Sequence, residues 1–291
     1  MTFNDDARIN PGRVSRRGRN TGIAVGGGGG LLVIGLFILS QFLGVDLTGL
    51  AGGGTQPQTG PDEALTECTT GQAANESIDC RIAAAADSLD TYWSAELPAS
   101  GQEYRSTSIV LFTGQTNTGC GGATSAVGPF YCPSDETIYL DTAFYDDLRN
   151  RFGSSGGPLA EMYVIAHEWG HHIQNITGIM NGLDLSDSGP ASDGVRLEVQ
   201  ADCFAGAWVG AATTTLADNG VPFLEPVTDE QIRDALSAAA AVGDDRIQAS
   251  TQGQVTPETW THGSSDMRQK WFIAGLQGGV NACNSFEVAQ P

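Results

Sequence analysis

Residues 167–171 carry the clearest chemical pattern in the chain, His-Glu-Trp-Gly-His. In a helix, side chains four residues apart lie on one face, so His167 and His171 can bind one metal ion together. Glu168 lies beside them, within reach of a water molecule on that metal. Zinc lowers the pKa of a bound water to about 7, and a nearby carboxylate can remove its proton. The pattern therefore predicts a Zn2+ site with Glu168 as the general base.

Two histidines leave such a site incomplete, because catalytic zinc usually has three protein ligands and a water. Glu198 and Asp202 are also four residues apart, in a second helical stretch of small and apolar residues. We expect Glu198 to be the third ligand. We expect Asp202 to accept a hydrogen bond from the other ring nitrogen of a ligand histidine. The alternative is an ordinary helix face whose carboxylates form salt bridges.

Two further histidines, His172 and His262, have different predicted roles. His262 lies in a turn before the last predicted helix, and we expect it to be catalytic, donating a hydrogen bond to the oxyanion of a tetrahedral intermediate. The alternative is a helix-capping or surface histidine. His172 lies roughly 140° around the helix from His167, so we expect a core or supporting residue rather than a ligand. Other possible hydrogen-bond donors are Tyr139, Tyr145 and Tyr163.

Two long helices must position the metal-binding residues, and the sequence predicts them at 159–176 and 195–212. Pro158 suits the first position of one, and Ser192 or Asp193 can cap the other. The remaining predicted elements are helices at 78–97, 143–152, 228–241 and 264–277, strands at 107–112 and 137–140, and a long loop at 114–128. Together they predict one helix-rich α+β domain with a small sheet. We expect the strand at 137–140 to lie along the cleft and to pair with an extended substrate.

The charge of the chain is strongly acidic and unevenly distributed. Its 291 residues contain 14 Lys and Arg against 34 Asp and Glu, a net charge of −20. Nucleic-acid binding requires cations that neutralise phosphates, so this class of partner is excluded. Residues 1–20 nevertheless carry five arginines and two aspartates, a net charge of +3.

An uncharged stretch at residues 21–45 follows this basic segment and contains a continuous apolar run. Its length is enough to span about 30 Å of hydrocarbon as a helix. The arginines before it predict a cytoplasmic tail at 1–20, a transmembrane helix at 21–45, a flexible linker at 46–62 and an extracytoplasmic domain at 63–291. The alternatives are a cleaved signal peptide and a protein without a membrane anchor.

All six cysteines lie beyond the apolar stretch, and none forms a Cys-x-x-Cys pair. An even number of cysteines in an exported domain predicts disulfides. The favoured pairs join near neighbours, Cys68 with Cys80 and Cys120 with Cys132, and leave Cys203 to pair with Cys283. The alternative is a set of free buried thiols.

The chain resembles the neutral zinc metallopeptidase family of bacteria over nearly its whole length. The similarity rests on the segments at 131–141, 163–175, 196–203 and 261–272, together with the arginine- and glycine-rich N-terminus. It implies a single-pass membrane protein with a zincin-like domain of the gluzincin type. It also implies that His167, His171 and Glu198 are zinc ligands and that Glu168 is the base.

These observations predict a zinc-dependent peptidase that acts on peptides or proteins outside the cytoplasmic membrane. One alternative is a zinc-containing binding or scaffold domain without turnover, although such a site has no use for Glu168. Another is a different zinc hydrolase, such as an amidase acting on cell-wall peptides.

Overall fold

A computed structural model describes residues 2–17 and 62–291. The described chain has eight α-helices, a five-stranded sheet and a separate two-stranded hairpin. The predicted α+β class is therefore confirmed. The helices are α1 (Gly71–Glu76), α2 (Ile78–Ala99), α3 (Phe144–Asn150), α4 (Pro158–Ile176), α5 (Asp193–Ala211), α6 (Asp229–Ala241), α7 (Asp244–Gln252) and α8 (Ser265–Gly278).

The five-stranded sheet is mixed. Its strands are β1 (Val14–Arg17), β2 (Asp62–Ala64), β3 (Ser108–Phe112), β6 (Phe130–Cys132) and β7 (Thr137–Asp141), in the order β2-β1-β3-β7-β6. Strands β1, β3 and β7 are parallel, whereas β2 and β6 run antiparallel to their neighbours. Because β7 pairs with a strand on each side, the prediction that this strand pairs with substrate is wrong.

The region predicted as a loop at 114–128 also contains regular structure. It forms an antiparallel hairpin of β4 (Gln115–Thr118) and β5 (Gly121–Thr124). The Cys120–Cys132 disulfide joins this hairpin to β6. The hairpin was not predicted because its polar and glycine-rich sequence lacks the alternation of apolar and polar residues that indicates a strand.

All three predicted disulfide pairs are confirmed. Cys68 is bonded to Cys80, Cys120 to Cys132 and Cys203 to Cys283. The last of these ties the C-terminal segment to α5 across 80 residues of sequence. Within the described residues no cysteine is free.

The sequence signals for helix ends agree with the structure. Pro158 occupies the first turn of α4, and the Ser192 side chain accepts a hydrogen bond from the Val195 amide at the start of α5. Thr228 and Gln231 form the predicted capping box of α6. These caps satisfy amides that the helices leave without an intrahelical partner.

Glycines allow the helices that carry the site to approach closely. A Cβ added at Gly170 of α4 would lie 2.9 Å from the Cα of Ala201 on α5. A Cβ added at Gly275 of α8 would lie 1.8 Å from the Cys203 carbonyl oxygen. Helices α4 and α8 therefore both pack directly against α5, which brings residues from all three into one site.

The N-terminal residues differ from their prediction as a separate tail at 1–20. Residues 14–17 form β1, inside the sheet of the main domain. Phe3, Ala7, Ile9 and Val14 are buried in the same core as α2 and α4. The folded unit thus contains residues 2–17 as well as the predicted domain at 63–291.

The predicted transmembrane helix at 21–45 and all but the last residue of the predicted linker at 46–62 lie outside the described residues. Across residues 2–17 and 62–291, the structure contains no helix whose length and apolar character would let it cross a membrane.

Candidate active site

Three potential metal ligands converge between α4 and α5. His167 and His171 project from α4 and Glu198 projects from α5, and all three side chains are buried. His167 Nε2 lies 3.2 Å from Glu198 Oε2, and His171 Nε2 lies 3.5 Å from Glu198 Oε1. One ligand atom from each residue can be chosen so that all three lie within 4.8 Å of one another.

This donor set suits zinc. Two imidazole nitrogens and one carboxylate oxygen are a common protein ligand set of catalytic zinc, with metal–ligand distances of roughly 2.0–2.2 Å. His167 and His171 each lie within 3.5 Å of the Glu198 carboxylate, one at each oxygen, so the three side chains can share one ion. The residues present therefore fit the metal that their pattern predicts.

Glu198 is suited to act as an anionic ligand. Burial alone would raise the pKa of its carboxyl, but the adjacent His171 and His167 together hold that pKa well below its usual range. The group is therefore ionised at neutral pH. A carboxylate beside two imidazoles supplies the negative charge that a divalent cation requires.

Asp202 lies within hydrogen-bond distance of His167. His167 Nδ1 lies 2.9 Å from Asp202 Oδ1, so Nδ1–H donates to the carboxylate and Nε2 faces Glu198. Burial opposes protonation of His167, but Asp202 outweighs it and raises the pKa of His167 to about 9. A metal bound at Nε2 would replace that proton, as metal binding requires the deprotonated form.

Arg268 is a member of this network that sequence reasoning did not place in the site. Its Nε donates to Asp202 Oδ2 at 2.8 Å and its Nη2 donates to Asp202 Oδ1 at 3.0 Å. The Tyr163 hydroxyl also donates to Asp202. All three side chains are buried. The sequence offered one signal for Arg268, its place on the same helix face as Trp271 and Phe272, three and four residues further on.

Gln174 holds the second histidine, His171, and was also missed. His171 Nδ1 lies 2.9 Å from Gln174 Oε1. The amide is fixed in this orientation because its nitrogen donates to the Leu197 carbonyl oxygen at 2.7 Å and to Gln200 Oε1 at 3.1 Å. Gln200 in turn donates to the Cys283 carbonyl oxygen. Each ligand histidine thus has its own acceptor, a carboxylate for His167 and an amide for His171.

We expect Gln174→Leu to weaken zinc binding by about 10–100-fold, because His171 loses the acceptor that orients its ring. Competition with a chromogenic chelator measures this change. The matched control is Gln269→Leu on α8, which removes an amide that donates to the Leu236 carbonyl oxygen. Equal zinc affinity in the Gln174 variant and the wild type would show that the amide has no influence on the ligand.

Glu168 is buried next to the two ligand histidines. Burial raises the pKa of its carboxyl, whereas the charges of His171 and His167 lower it. The net pKa lies above the ordinary value of a glutamate, and a less acidic carboxyl is a better proton acceptor. This environment is consistent with the general-base role predicted for Glu168.

His262 is neither a surface residue nor a simple cap. Its Nδ1 lies 2.9 Å from Thr261 Oγ1 and 3.3 Å from Asp244 Oδ1. Asp244 also accepts hydrogen bonds from the backbone amides of residues 261–263. Burial would lower the pKa of His262, but Asp244 and Glu198 raise it above the ordinary value.

The other polar candidates serve the core. His172 is buried between the Tyr131 hydroxyl, 3.1 Å from Nδ1, and the Arg105 carbonyl oxygen, 2.7 Å from Nε2. Tyr139 donates to Asp135, and Tyr145 donates to the Glu161 carbonyl oxygen. Of the three tyrosines considered as donors, Tyr163 alone contacts the site network, and its hydroxyl is bonded to Asp202.

Comparison with known proteins agrees with this site. Residues 3–286 match the family model described as "Putative neutral zinc metallopeptidase". The uncharacterized protein Rv2575 of Mycobacterium tuberculosis (strain ATCC 25618 / H37Rv) is 49% identical over 255 residues, which cover 86% of each chain. The uncharacterized protein YpfJ of Escherichia coli (strain K12) is 37% identical over 268 residues, which cover 89% of this chain and 87% of that protein.

No solved structure matches the chain. The family match spans almost all of the sequence, and both relatives are similar over most of their length. The chain therefore belongs to the neutral zinc metallopeptidase family.

Proposed function

We propose that the protein is a zinc-dependent peptidase that hydrolyses peptide bonds outside the cytoplasmic membrane. One observation carries the proposal. The donor atoms of His167, His171 and Glu198 converge within 4.8 Å, and the buried Glu168 directly follows His167 on α4. A zinc site with only a structural role would gain nothing from that buried carboxylate.

The chemistry divides between the metal and the protein. When bound, zinc supplies a Lewis acid that polarises a carbonyl and acidifies water. Glu168 accepts the proton of the attacking water and passes it to the departing amine. Asp202 and Gln174 keep the two imidazoles directed at the metal position throughout.

His262 supports the oxyanion in this proposal. Burial lowers the pKa of His262, but Asp244 and Glu198 raise it above its ordinary value and so favour the imidazole with a proton on each nitrogen. With Nδ1 held by Asp244 and Thr261, Nε2–H remains to donate a hydrogen bond towards the developing negative charge. Thr261, on the same loop, and Asp244, at the start of α7, fix the ring from two elements.

The proposed location rests on the disulfides. Three disulfides join residues between 68 and 283. Such bonds persist in oxidising compartments and are rare in the cytoplasm. The substrate class is a peptide or protein, as the family indicates.

The test uses the full chain, purified in detergent, because residues 2–17 are part of the fold. We expect about one zinc per chain, cleavage of members of a peptide library, loss of cleavage after treatment with a chelator, and its recovery on addition of zinc. Zinc binding without cleavage of any library member would favour the binding or scaffold function. Cleavage restricted to cell-wall peptides would favour the amidase.

A further inference from the structure

We propose that residues 2–17 are a permanent part of the folded domain and lie on the same side of the cytoplasmic membrane as residues 62–291. The sequence prediction placed residues 1–20 in the cytoplasm and the domain outside, separated by one crossing at 21–45. The new inference does not depend on the proposed peptidase activity, because it rests only on how the N-terminal segment is bound.

Strand β1 has a neighbour on each side. It pairs antiparallel with β2, where Ser15 is the partner of Ala64 and Arg17 is the partner of Asp62. It also pairs in parallel with β3, where Ser15 is the partner of Val110. The last residue of β1, Arg17, is therefore paired with the first residue of β2, Asp62. The Cα atoms of such a pair lie about 5 Å apart.

The residues before β1 also make specific hydrogen bonds to the rest of the domain. Asn75 accepts a hydrogen bond from the Phe3 amide at 3.1 Å and donates to the Phe3 carbonyl oxygen at 2.9 Å. The Gly71 amide donates to the Ala7 carbonyl oxygen, and the Asn4 amide donates to the Phe223 carbonyl oxygen. A Cβ at Gly71 would lie 1.8 Å from the Asn4 carbonyl oxygen. The glycine at this position therefore allows the N-terminal backbone to approach α1.

The arginines of this segment have partners on the domain. Arg13 pairs with Asp90 and Arg16 pairs with Asp79, both on α2. Arg17 donates to Asp62 at 2.9 Å and to Thr116 Oγ1 at 2.7 Å. Positive charge before an apolar stretch favours a cytoplasmic location when it is free to interact with the membrane surface. In this structure the arginines instead form ion pairs with carboxylates of the domain.

A single crossing between residues 17 and 62 conflicts with this pairing. It would place the two ends of the connection on opposite sides of about 30 Å of hydrocarbon. A return path would have to pass through residues 46–61, which contain Asp46, five glycines, two glutamines and two prolines, and no second apolar run. Such a polar stretch is too costly to place in hydrocarbon. Since the disulfides favour an oxidising compartment for the domain, the N-terminal segment is assigned to that compartment as well.

The first test is crosslinking in intact cells. In the full chain, Ser15→Cys combined with Ala64→Cys should form a disulfide, because paired residues on adjacent strands have the spacing that a disulfide needs. Mass spectrometry of peptides from non-reduced protein detects the bond. Ser15→Cys combined with Ser250→Cys on α7 is the control for random encounters. Crosslinking of positions 15 and 64 at or below the level of that control would overturn the proposal.

The second test measures topology directly and does not depend on any cysteine. Different epitope tags are placed at the two ends of the full chain, and protease is added to intact spheroplasts. We expect both tags to be removed. Loss of the C-terminal tag with protection of the N-terminal tag would overturn the proposal. Protection of both tags would support the proposal that the two ends lie on the same side of the membrane. It would contradict the extracytoplasmic location proposed for the peptidase.

A third experiment tests, by the melting temperature of the purified full chain, whether residues 2–17 are bound to the domain. Gly71 begins α1, where alanine is normally tolerated or stabilising. If residues 2–17 are docked, Gly71→Ala must displace the Asn4 backbone and should lower the melting temperature. An unchanged or higher melting temperature would contradict the proposal.

Discussion

Glu168→Gln is expected to retain zinc and to lose peptide hydrolysis by a factor of about 10²–10⁴, the contribution of a positioned general base. Glutamine has nearly the same shape as glutamate but does not accept a proton from water at neutral pH. The three candidate ligand side chains are unchanged, so the metal content should stay at the wild-type level. Metal analysis and the rate of cleavage of one identified peptide measure the two quantities separately.

The matched control is Glu161→Gln on the same helix. Glu161 is buried and pairs with Arg81 and Arg149, away from the metal-binding residues. Its loss should reduce stability but leave the rate per folded, zinc-loaded molecule close to that of the wild type. Full activity of the Glu168 variant would contradict this prediction and assign the base to another residue.

The helices of the site could be predicted because their signals are local. His167, His171, Glu198 and Asp202 follow helical spacing, and the ends of α4 and α5 follow from a proline and a capping serine. Two helices that each carry a pair of polar groups on one buried face have few ways to satisfy those groups other than by facing each other. The structure places the two pairs together.

Arg268 and Gln174 were harder to predict because their roles depend on tertiary contacts. Arg268 reaches Asp202 from a helix 66 residues further along the chain. Gln174 is close to His171 in sequence, but its amide is fixed in orientation only by α5. A single sequence shows that such residues are polar in an apolar setting, but it does not show which group satisfies them.

The strand in the N-terminal segment was not predicted, for a related reason. This strand is four residues long and contains two arginines, so it lacks the alternating apolar pattern of a typical strand. The partner of Arg13 is 77 residues away in sequence. Local charge next to an apolar stretch therefore suggested a membrane-flanking tail, whereas the long-range ion pairs and strand pairing place the segment in the domain.

Asp202→Asn is expected to weaken zinc binding by about 10–100-fold and to destabilise the protein at the same time. The first effect arises because His167 loses the carboxylate that holds its Nδ1–H. The second arises because the buried Arg268 loses its nearer counter-ion and keeps only Glu198, whose Oε2 lies 3.9 Å from Nη2; breaking a buried pair typically costs up to about 3–5 kcal/mol. Chelator competition measures the first effect, and chemical denaturation of the metal-free protein measures the second.

Asp90→Asn separates these two effects, because Asp90 resembles Asp202 in its partners. It accepts hydrogen bonds from Arg13 and from the Tyr104 hydroxyl, at a position that contacts neither histidine of the metal site. This control should lose stability and keep the zinc affinity of the wild type. If Asp202→Asn behaves like the control, with lower stability and unchanged zinc affinity, Asp202 is only the counter-ion of Arg268. A loss of zinc affinity confined to the Asp202 variant would show that its carboxylate acts on the metal through His167.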